Sequence, residues 1–262
     1  MGKIKIVGVI LLLAVVFSCG KSYKERAAER LNLAVAICEK GDTITALQQL
    51  DSVQVLFPEA FVSVEKANGL SNKINSEILF RKQDQFDKVS RRLDELDKLF
   101  DKEKTEFDRY TQYVHKTQKF ERRWDQSFIQ LHLDERGELY ISSNYHGADW
   151  LNHTGIRVYD GLFQAKTDSV SLDDTNNHHS DFMNTHWEKV SYKNGKDNGV
   201  IQFISDHANR NLKAVFLGKR MYFIVLEAAD KQAVKDALSL SNALKIKSEL
   251  QKEIHDLQSK LI

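Results

Sequence analysis

The spacing of apolar residues divides the chain into helical ends and a strand-rich centre. Residues 22–40 carry apolar side chains at helical spacing, and residues 43–55 do so again after the pair Gly41-Asp42, which breaks the pattern. The pattern predicts two helices joined by a short turn. Pro58 follows them, and we expect it in the first turn of the next helix, where a missing N–H costs nothing.

A seven-residue repeat of apolar positions follows this helix pair. Its first column consists of Leu79, Phe86, Leu93, Phe100, Phe107 and Val114. The second column is only half filled, because Lys82, Glu103 and Thr117 interrupt it. The repeat predicts a long, charged helix with a narrow apolar seam, and we assign residues 61–124 to a coiled-coil stalk.

The C-terminal segment, residues 229–262, offers a partner for this seam. It carries two seven-residue columns of its own, and Lys247 interrupts the first. The simplest arrangement is an antiparallel pair of helices within one chain. A parallel homodimer through the same faces is the alternative. Because both seams are interrupted, the sequence favours a monomer over a coiled-coil dimer.

Residues 125–228, here called the β module, alternate apolar and polar positions as strands do. The predicted strands are 129–133, 139–145, 156–159, 162–167, 190–192, 200–204, 212–217 and 221–226. Asn194-Gly195, Asn198-Gly199 and the residues 218–220 are typical of turns. The predicted fold class is therefore α+β. An N-terminal helical hairpin and an antiparallel helical stalk carry an inserted antiparallel β-sandwich or barrel-like module.

The first residues have the pattern of a signal peptide. Lys3 and Lys5 precede an apolar run over residues 7–17, which is too short to span a bilayer, and Ser18-Cys19-Gly20 follows. This stretch resembles the lipobox of bacterial lipoproteins. The resemblance implies removal of residues 1–18 and acylation of Cys19, which would anchor the chain to a membrane. An uncleaved anchor helix with an incidental cysteine is the alternative.

The helix pair in residues 19–60 resembles one tetratricopeptide (TPR) repeat. The resemblance depends on Leu33, Ala34, Ile37, Gly41, Ala46, Leu50, Val53 and Pro58. No second copy follows at the expected 34-residue offset. A lone repeat forms no concave peptide groove, so a packing hairpin is the expected role.

The whole order of segments resembles the TPR-and-coiled-coil lipoproteins common in Bacteroidota, a group without characterised activities. That resemblance implies a compartment and no activity. No aspartate follows Cys19, which by the lipoprotein sorting rule implies the outer membrane, facing the periplasm.

Composition excludes some classes of function. The chain has 38 basic and 37 acidic residues, a formal charge of +1, so no overall basic field predicts nucleic-acid binding. It has one proline and two cysteines. With Cys19 acylated, Cys38 has no partner for a disulfide, and we expect it to be a small apolar residue of a helix core.

The β module holds the chemically suggestive residues. Its histidines are His146, His153, His178, His179, His186 and His207. We expect them in or near loops, where surface or turn-capping roles are common. No motif for a serine hydrolase, a phosphate-binding loop or a zinc site is present, so no catalytic residue, metal or cofactor is predicted.

We therefore predict a non-enzymatic, membrane-anchored interaction or scaffold protein of the cell envelope, with a protein partner. The predicted ligand- or partner-binding residues are Tyr145, His146, Asp149, Trp150 and His153. The alternative is a metal- or ligand-binding, possibly enzymatic, β domain. Its ligands would be His146, Asp149, His153, His178 and His179.

Overall fold

The computed structural model describes residues 21–118 and 125–261. The predicted signal peptide, Cys19 and the end of the predicted stalk helix at residues 119–124 lie outside the described residues. Within them the chain is mixed α+β, with five α-helices, one 3₁₀ turn and three antiparallel sheets. None of the helices in this part of the chain has the length and apolar character needed to cross a membrane.

The chain divides into two compact units. In the described chain, residues 21–79 and 257–261 form the helical unit, and residues 80–256 form the mixed unit.

The helical unit contains α1, α2 and the first part of α3. Their bounds are Tyr23–Glu39, Thr43–Leu56 and Phe61–Asp97. Ser22 begins α1 with a capping box to Glu25, and Asp42 begins α2 by accepting the backbone N–H of Thr45 at 3.0 Å. The core consists of Leu31, Ala34, Ala46, Leu50, Val53, Ala67 and Ile74, with the free Cys38 packed against it.

Pro58 lies in the turn between α2 and α3, three residues before α3 begins. The prediction that it occupies the first turn of the next helix is wrong. The first hydrogen bonds of the helix are accepted by the carbonyl of Ala60, from the N–H groups of Ser63 and Val64.

The long helix ends at Asp97, so the prediction of a helix to residue 124 is wrong. A hairpin follows, built from β1 (Phe100–Glu103) and β2 (Gln112–His115), and then a 3₁₀ turn over Lys116–Gln118. Two of the heptad positions, Phe100 and Val114, lie in the two strands of this hairpin, and the third, Phe107, lies between them. Phe100 is buried edge-on against the rings of Tyr113 and His115, whereas Phe107 at the hairpin tip is 89% exposed.

In the mixed unit, α5 (Ala228–Ser259) packs on the second part of α3 with the opposite chain direction. Leu93 and Leu96 share a buried cluster with Leu240 and its alanine neighbours, while Lys82 pairs with Glu253 at 2.8 Å.

The residues that interrupt the apolar columns make contacts of their own. The Lys247 ammonium lies over the ring of Phe86, 5.4 Å from its centroid. Lys82 forms the ion pair with Glu253. The two lysines therefore contribute to the helix pair rather than weaken it.

Eight further strands form two four-stranded antiparallel sheets. Sheet I has the order β3-β4-β8-β7, and its strands are Phe128–Leu133, Leu139–Gly147, Thr185–Tyr192 and Asn177–Phe182. Sheet II has the order β10-β9-β5-β6, and its strands are Met221–Val225, Lys213–Leu217, Gly155–Tyr159 and Gln164–Lys166. Buried residues of both sheets belong to one cluster, and the described strands form no closed barrel.

Residues 200–204 form a helix, so the prediction of a strand there is wrong. α4 covers Val200–Asp206, and the residue before it, Gly199, has a φ of 80°, a conformation that glycine adopts without strain. Val200, Ile201 and Ile204 fall on one face of this helix and are buried in the shared core. Burial of this face outweighs the β-propensity of the branched side chains.

His178 and His179 lie on the edge strand β7, whereas the sequence predicted a loop. β7 pairs with β8 through a two-residue turn, Met183-Asn184, in which both residues have positive φ. The segment lacks the apolar alternation of a strand because its side chains beyond Asn177 are exposed on both faces.

Candidate functional site

The loop that joins β4 to β5, residues 148–154, is the centre of the candidate site and is called the Trp150 loop here. It crosses from sheet I to sheet II. The backbone N–H of Thr154 donates to Leu217 and that of Lys219 to Leu151, at 3.0 and 2.8 Å. The β9–β10 turn therefore holds the loop against sheet II.

The carboxylate of Glu188 holds the loop from inside sheet I. Glu188 is 1% exposed. Its Oε1 accepts the N–H of Asn152 at 2.6 Å, and its Oε2 accepts the N–H and Nδ1 of His153 at 2.9 and 2.6 Å. Asn152 has a φ of 52°, which points these consecutive N–H groups at one acceptor.

These donors decide the charge of Glu188. Burial raises the pKa of this carboxyl, but the hydrogen bonds from the His153 ring and from the N–H groups of His153 and Asn152 outweigh burial. The net pKa lies below its ordinary value, so Glu188 is an anion at neutral pH.

The His153 ring continues the hydrogen-bond chain into the core. Nδ1 lies 2.6 Å from the Glu188 carboxylate and donates to it, and in the neutral imidazole Nε2 then accepts from the Ser143 hydroxyl at 2.8 Å. The Ser143 oxygen in turn lies 2.9 Å from the Tyr192 hydroxyl. Burial raises the pKa of Tyr192 well above its usual range, which keeps this hydroxyl protonated as a donor.

The order Ser143–His153–Glu188 is the order of a nucleophile, base and acid in hydrolases. Here Ser143 and His153 are both 0% exposed. A substrate carbonyl needs direct contact with the nucleophile, and in this conformation the serine oxygen is enclosed by protein. The chain of hydrogen bonds therefore acts here to fix the Trp150 loop.

The ring of Trp150 packs between two imidazoles of sheet I. It lies 4.2 Å from the His186 ring centroid and 5.3 Å, edge-on, from that of His179. His186 is two residues from the β7–β8 turn, where Met183 is 81% exposed. Phe182 pairs with Thr185, so its 63% exposed side chain points to the outer face of sheet I, opposite to His186. Met183 has a φ of 50°, an uncommon conformation for a residue with a long side chain. The name Trp150 surface is used here for Trp150, His179, His186, Met183 and Asp149.

Asp149 lies at the rim of this surface and Tyr145 lies beneath it. The Asp149 side chain is 69% exposed and pairs with Arg220 at 2.5 Å. Tyr145 is 4% exposed, its hydroxyl donates to the Asp149 carbonyl at 3.0 Å, and its ring packs on Tyr222. Tyr145 is therefore a support of the loop.

The structure separates the residues of the metal alternative. His146 and Tyr145 are neighbours in β4 and point to opposite faces, so His146 packs on Trp187, 5.2 Å away, on the outer face of sheet I. His178 and His179 are separated in the same way on β7. Within the described chain, no group of three or more His, Cys, Asp or Glu side chains is placed to hold a metal ion.

Sequence reasoning missed Ser143, Glu188 and Tyr192. A signal for two of them exists in the strand pattern. Ser143 and Glu188 are polar residues at inward-facing positions, each between apolar neighbours two residues away in its strand or across the sheet. A polar residue on an apolar face requires a partner.

Comparisons of the chain with protein-family models, with curated proteins and with solved structures give no match. The resemblance to envelope lipoproteins therefore remains a resemblance of pattern.

Proposed function

We propose that this protein is a lipid-anchored protein of the bacterial cell envelope that binds a protein partner through the Trp150 surface and catalyses no reaction. The anchor would be the acylated Cys19, and the compartment would be the outer membrane facing the periplasm. The finer architecture belongs to the same proposal: a TPR-like hairpin, an antiparallel stalk of α3 and α5, and a β-sandwich carried on it.

One observation supports the binding site above all others. The Trp150 loop is fixed from inside by a buried anion, and the Trp150 ring packs on two imidazoles beside the turn that exposes Met183. Preorganised aromatic and apolar side chains on a rigid support are typical of binding surfaces. The metal-binding or enzymatic alternative lacks such an observation, because His146 and His178 lie on the outer face of sheet I, opposite to the face that His179 and Glu188 share.

Site-specific photocrosslinking tests the binding surface. A photoreactive amino acid at Met183 is expected to capture a discrete envelope protein in intact cells, and Trp150→Ala should reduce that capture. Phe107 is the matched control position, since it is also an exposed apolar residue at a hairpin tip in the mixed unit. Equal capture from both positions, or capture that does not depend on Trp150, would contradict the proposal.

The anchor has a separate test. Metabolic labelling with a fatty acid that carries an alkyne should label the wild-type chain, and Cys19→Ser should abolish the label while Cys38→Ser leaves it. Labelling that persists in Cys19→Ser would refute the lipid anchor without affecting the binding surface.

A further inference from the structure

Strand β10 is an open edge of sheet II that is apolar along its whole length. It pairs with β9 on one side, and no other described strand pairs with its second side. Four of its five residues are exposed: Met221 by 60%, Tyr222 by 36%, Phe223 by 52% and Val225 by 64%. Natural edge strands usually carry lysine, proline or a bulge that prevents further pairing. β10 contains none of the three and keeps a regular register.

The register shows which backbone groups face the open side. Leu226 donates its N–H to the carbonyl of Leu212, which continues the β9–β10 ladder beyond its last pair. In an antiparallel ladder, hydrogen-bonded and non-hydrogen-bonded pairs alternate. Tyr222 and Ile224 therefore bond to β9, whereas Met221, Phe223 and Val225 direct their N–H and C=O groups away from the sheet.

The side chains follow the same alternation. Tyr222 packs on Tyr145 and Phe216, and Ile224 packs against the shared core. Met221, Phe223 and Val225 point to the opposite face and are each more than half exposed, whereas Val215, the β9 partner of Phe223, is buried on that face. The strand thus offers both an unpaired backbone edge and an apolar row.

Charges of opposite sign flank the strand. Lys219 precedes it in the β9–β10 turn and Glu227 follows it before α5, and both are exposed. Neither side chain forms an ion pair or a hydrogen bond within the described residues. Phe223 lies midway between these two residues in sequence.

We propose that β10 pairs with the same strand of a second copy of this chain, antiparallel and centred on Phe223. In that register Phe223 meets Phe223 of the second copy, Met221 meets Val225, and Lys219 meets Glu227. Every outward N–H and C=O of the three residues finds a partner, and the two sheets join into one. The arrangement is an isologous contact, in which the same patch is used twice.

The charges select a second copy over an unrelated strand. Any extended segment satisfies the backbone edge. An antiparallel copy in this register also places each Lys219 opposite a Glu227, twice per dimer. A shift of register by two residues would lose both pairs.

The contact is small, so we expect a weak, concentration-dependent dimer. It differs from the coiled-coil dimer considered from the sequence, because it uses a sheet edge and leaves the helical seam within the chain. It does not depend on the lipid anchor.

Disulfide trapping tests the register. In the full chain in detergent, with Cys19→Ser and Cys38→Ser as background, Phe223→Cys should form a disulfide-linked dimer under a mild oxidant. A hydrogen-bonded pair places its Cα atoms about 5.5 Å apart, within disulfide reach. Val225→Cys is the matched control on the same face of the same strand. The two copies of residue 225 would lie about 14 Å apart, since a strand advances about 3.4 Å per residue.

The charges provide a second, independent test. Lys219→Glu and Glu227→Lys should each weaken dimerisation roughly tenfold in sedimentation equilibrium, since about 1.4 kcal/mol is tenfold in an equilibrium constant. The double variant should restore it, because the pairs reform with exchanged signs. Equal trapping of Phe223→Cys and Val225→Cys, absence of trapping in both, or a double variant no better than the single ones would overturn the proposal.

Discussion

Glu188→Gln should destabilise the fold strongly although it changes one oxygen to a nitrogen. The carboxylate accepts three hydrogen bonds, one on Oε1 and two on Oε2, and is closed off from water. A glutamine amide keeps one acceptor oxygen. Its NH₂ group must then face either the N–H of Asn152 or the two donors of His153, so at least one buried donor loses its partner.

The magnitude follows from these lost bonds. A hydrogen bond to a charged group contributes about 1.5–3 kcal/mol, and a buried donor left without a partner costs about 1–3 kcal/mol. We therefore expect Glu188→Gln to lower the free energy of unfolding by about 2–4 kcal/mol. The matched control is Asp149→Asn, which removes an exposed ion pair and should cost less than about 1 kcal/mol.

Denaturant unfolding measures the loss, and amide hydrogen exchange locates it. Exchange should accelerate at Asn152 and His153, whose N–H groups bind the carboxylate, and less at Thr154, whose N–H donates to Leu217.

The pH dependence of the free energy of unfolding gives a further test. Since the folded pKa of Glu188 lies below its ordinary value, its contribution is complete above pH 4.5, the ordinary value, and is lost as pH falls through the folded pKa. If Glu188→Gln unfolds within about 0.5 kcal/mol of wild type, which is the size of a neutral surface change, the reasoning is refuted.

Two further predictions concern other parts of the chain. Gly218→Ala should destabilise the protein by more than about 1 kcal/mol, because the new Cβ would overlap the carbonyl oxygen of Leu151 and touch the backbone of His153. The control is Gly69→Ala in α3, where a Cβ meets nothing within 4 Å. This control should stabilise the protein by about 0.5–1 kcal/mol, because alanine has the higher helix propensity. Thermal unfolding should show a lower melting temperature for Gly218→Ala and a higher one for Gly69→Ala. An unchanged melting temperature for Gly218→Ala would contradict the close approach of the backbones. Burial and the nearby Lys189 and Lys193 lower the pKa of His132 from 6.5 to about 3. Between these pH values the unfolded chain binds a proton that the folded chain does not, so the free energy of unfolding should fall as pH drops from 6.5 towards 3. Urea titrations at several pH values measure this dependence, and His132→Phe should make it less steep.

The candidate site was only partly visible in the sequence. Asp149 and Trp150 were predicted from a loop rich in polar and aromatic residues, and they lie together at the Trp150 surface. The residues that hold the loop could not be paired in advance, because Glu188 lies 35 residues after His153 and on strand β8. Strand alternation separates His146 from Tyr145, and only the observed register shows which of them faces Glu188.

The local pattern alone was enough for α1, α2, α5 and the β9–β10 hairpin, where apolar spacing, caps and turn residues agree on one structure. Residues 100–115 and 200–206 were decided by tertiary structure, because the apolar spacing of each predicted an element that the chain does not form. In the first segment pairing of β1 with β2 buries Phe100, and in the second a helix buries Val200, Ile201 and Ile204. Local spacing limits the possible elements, and the surface available for burial selects among them.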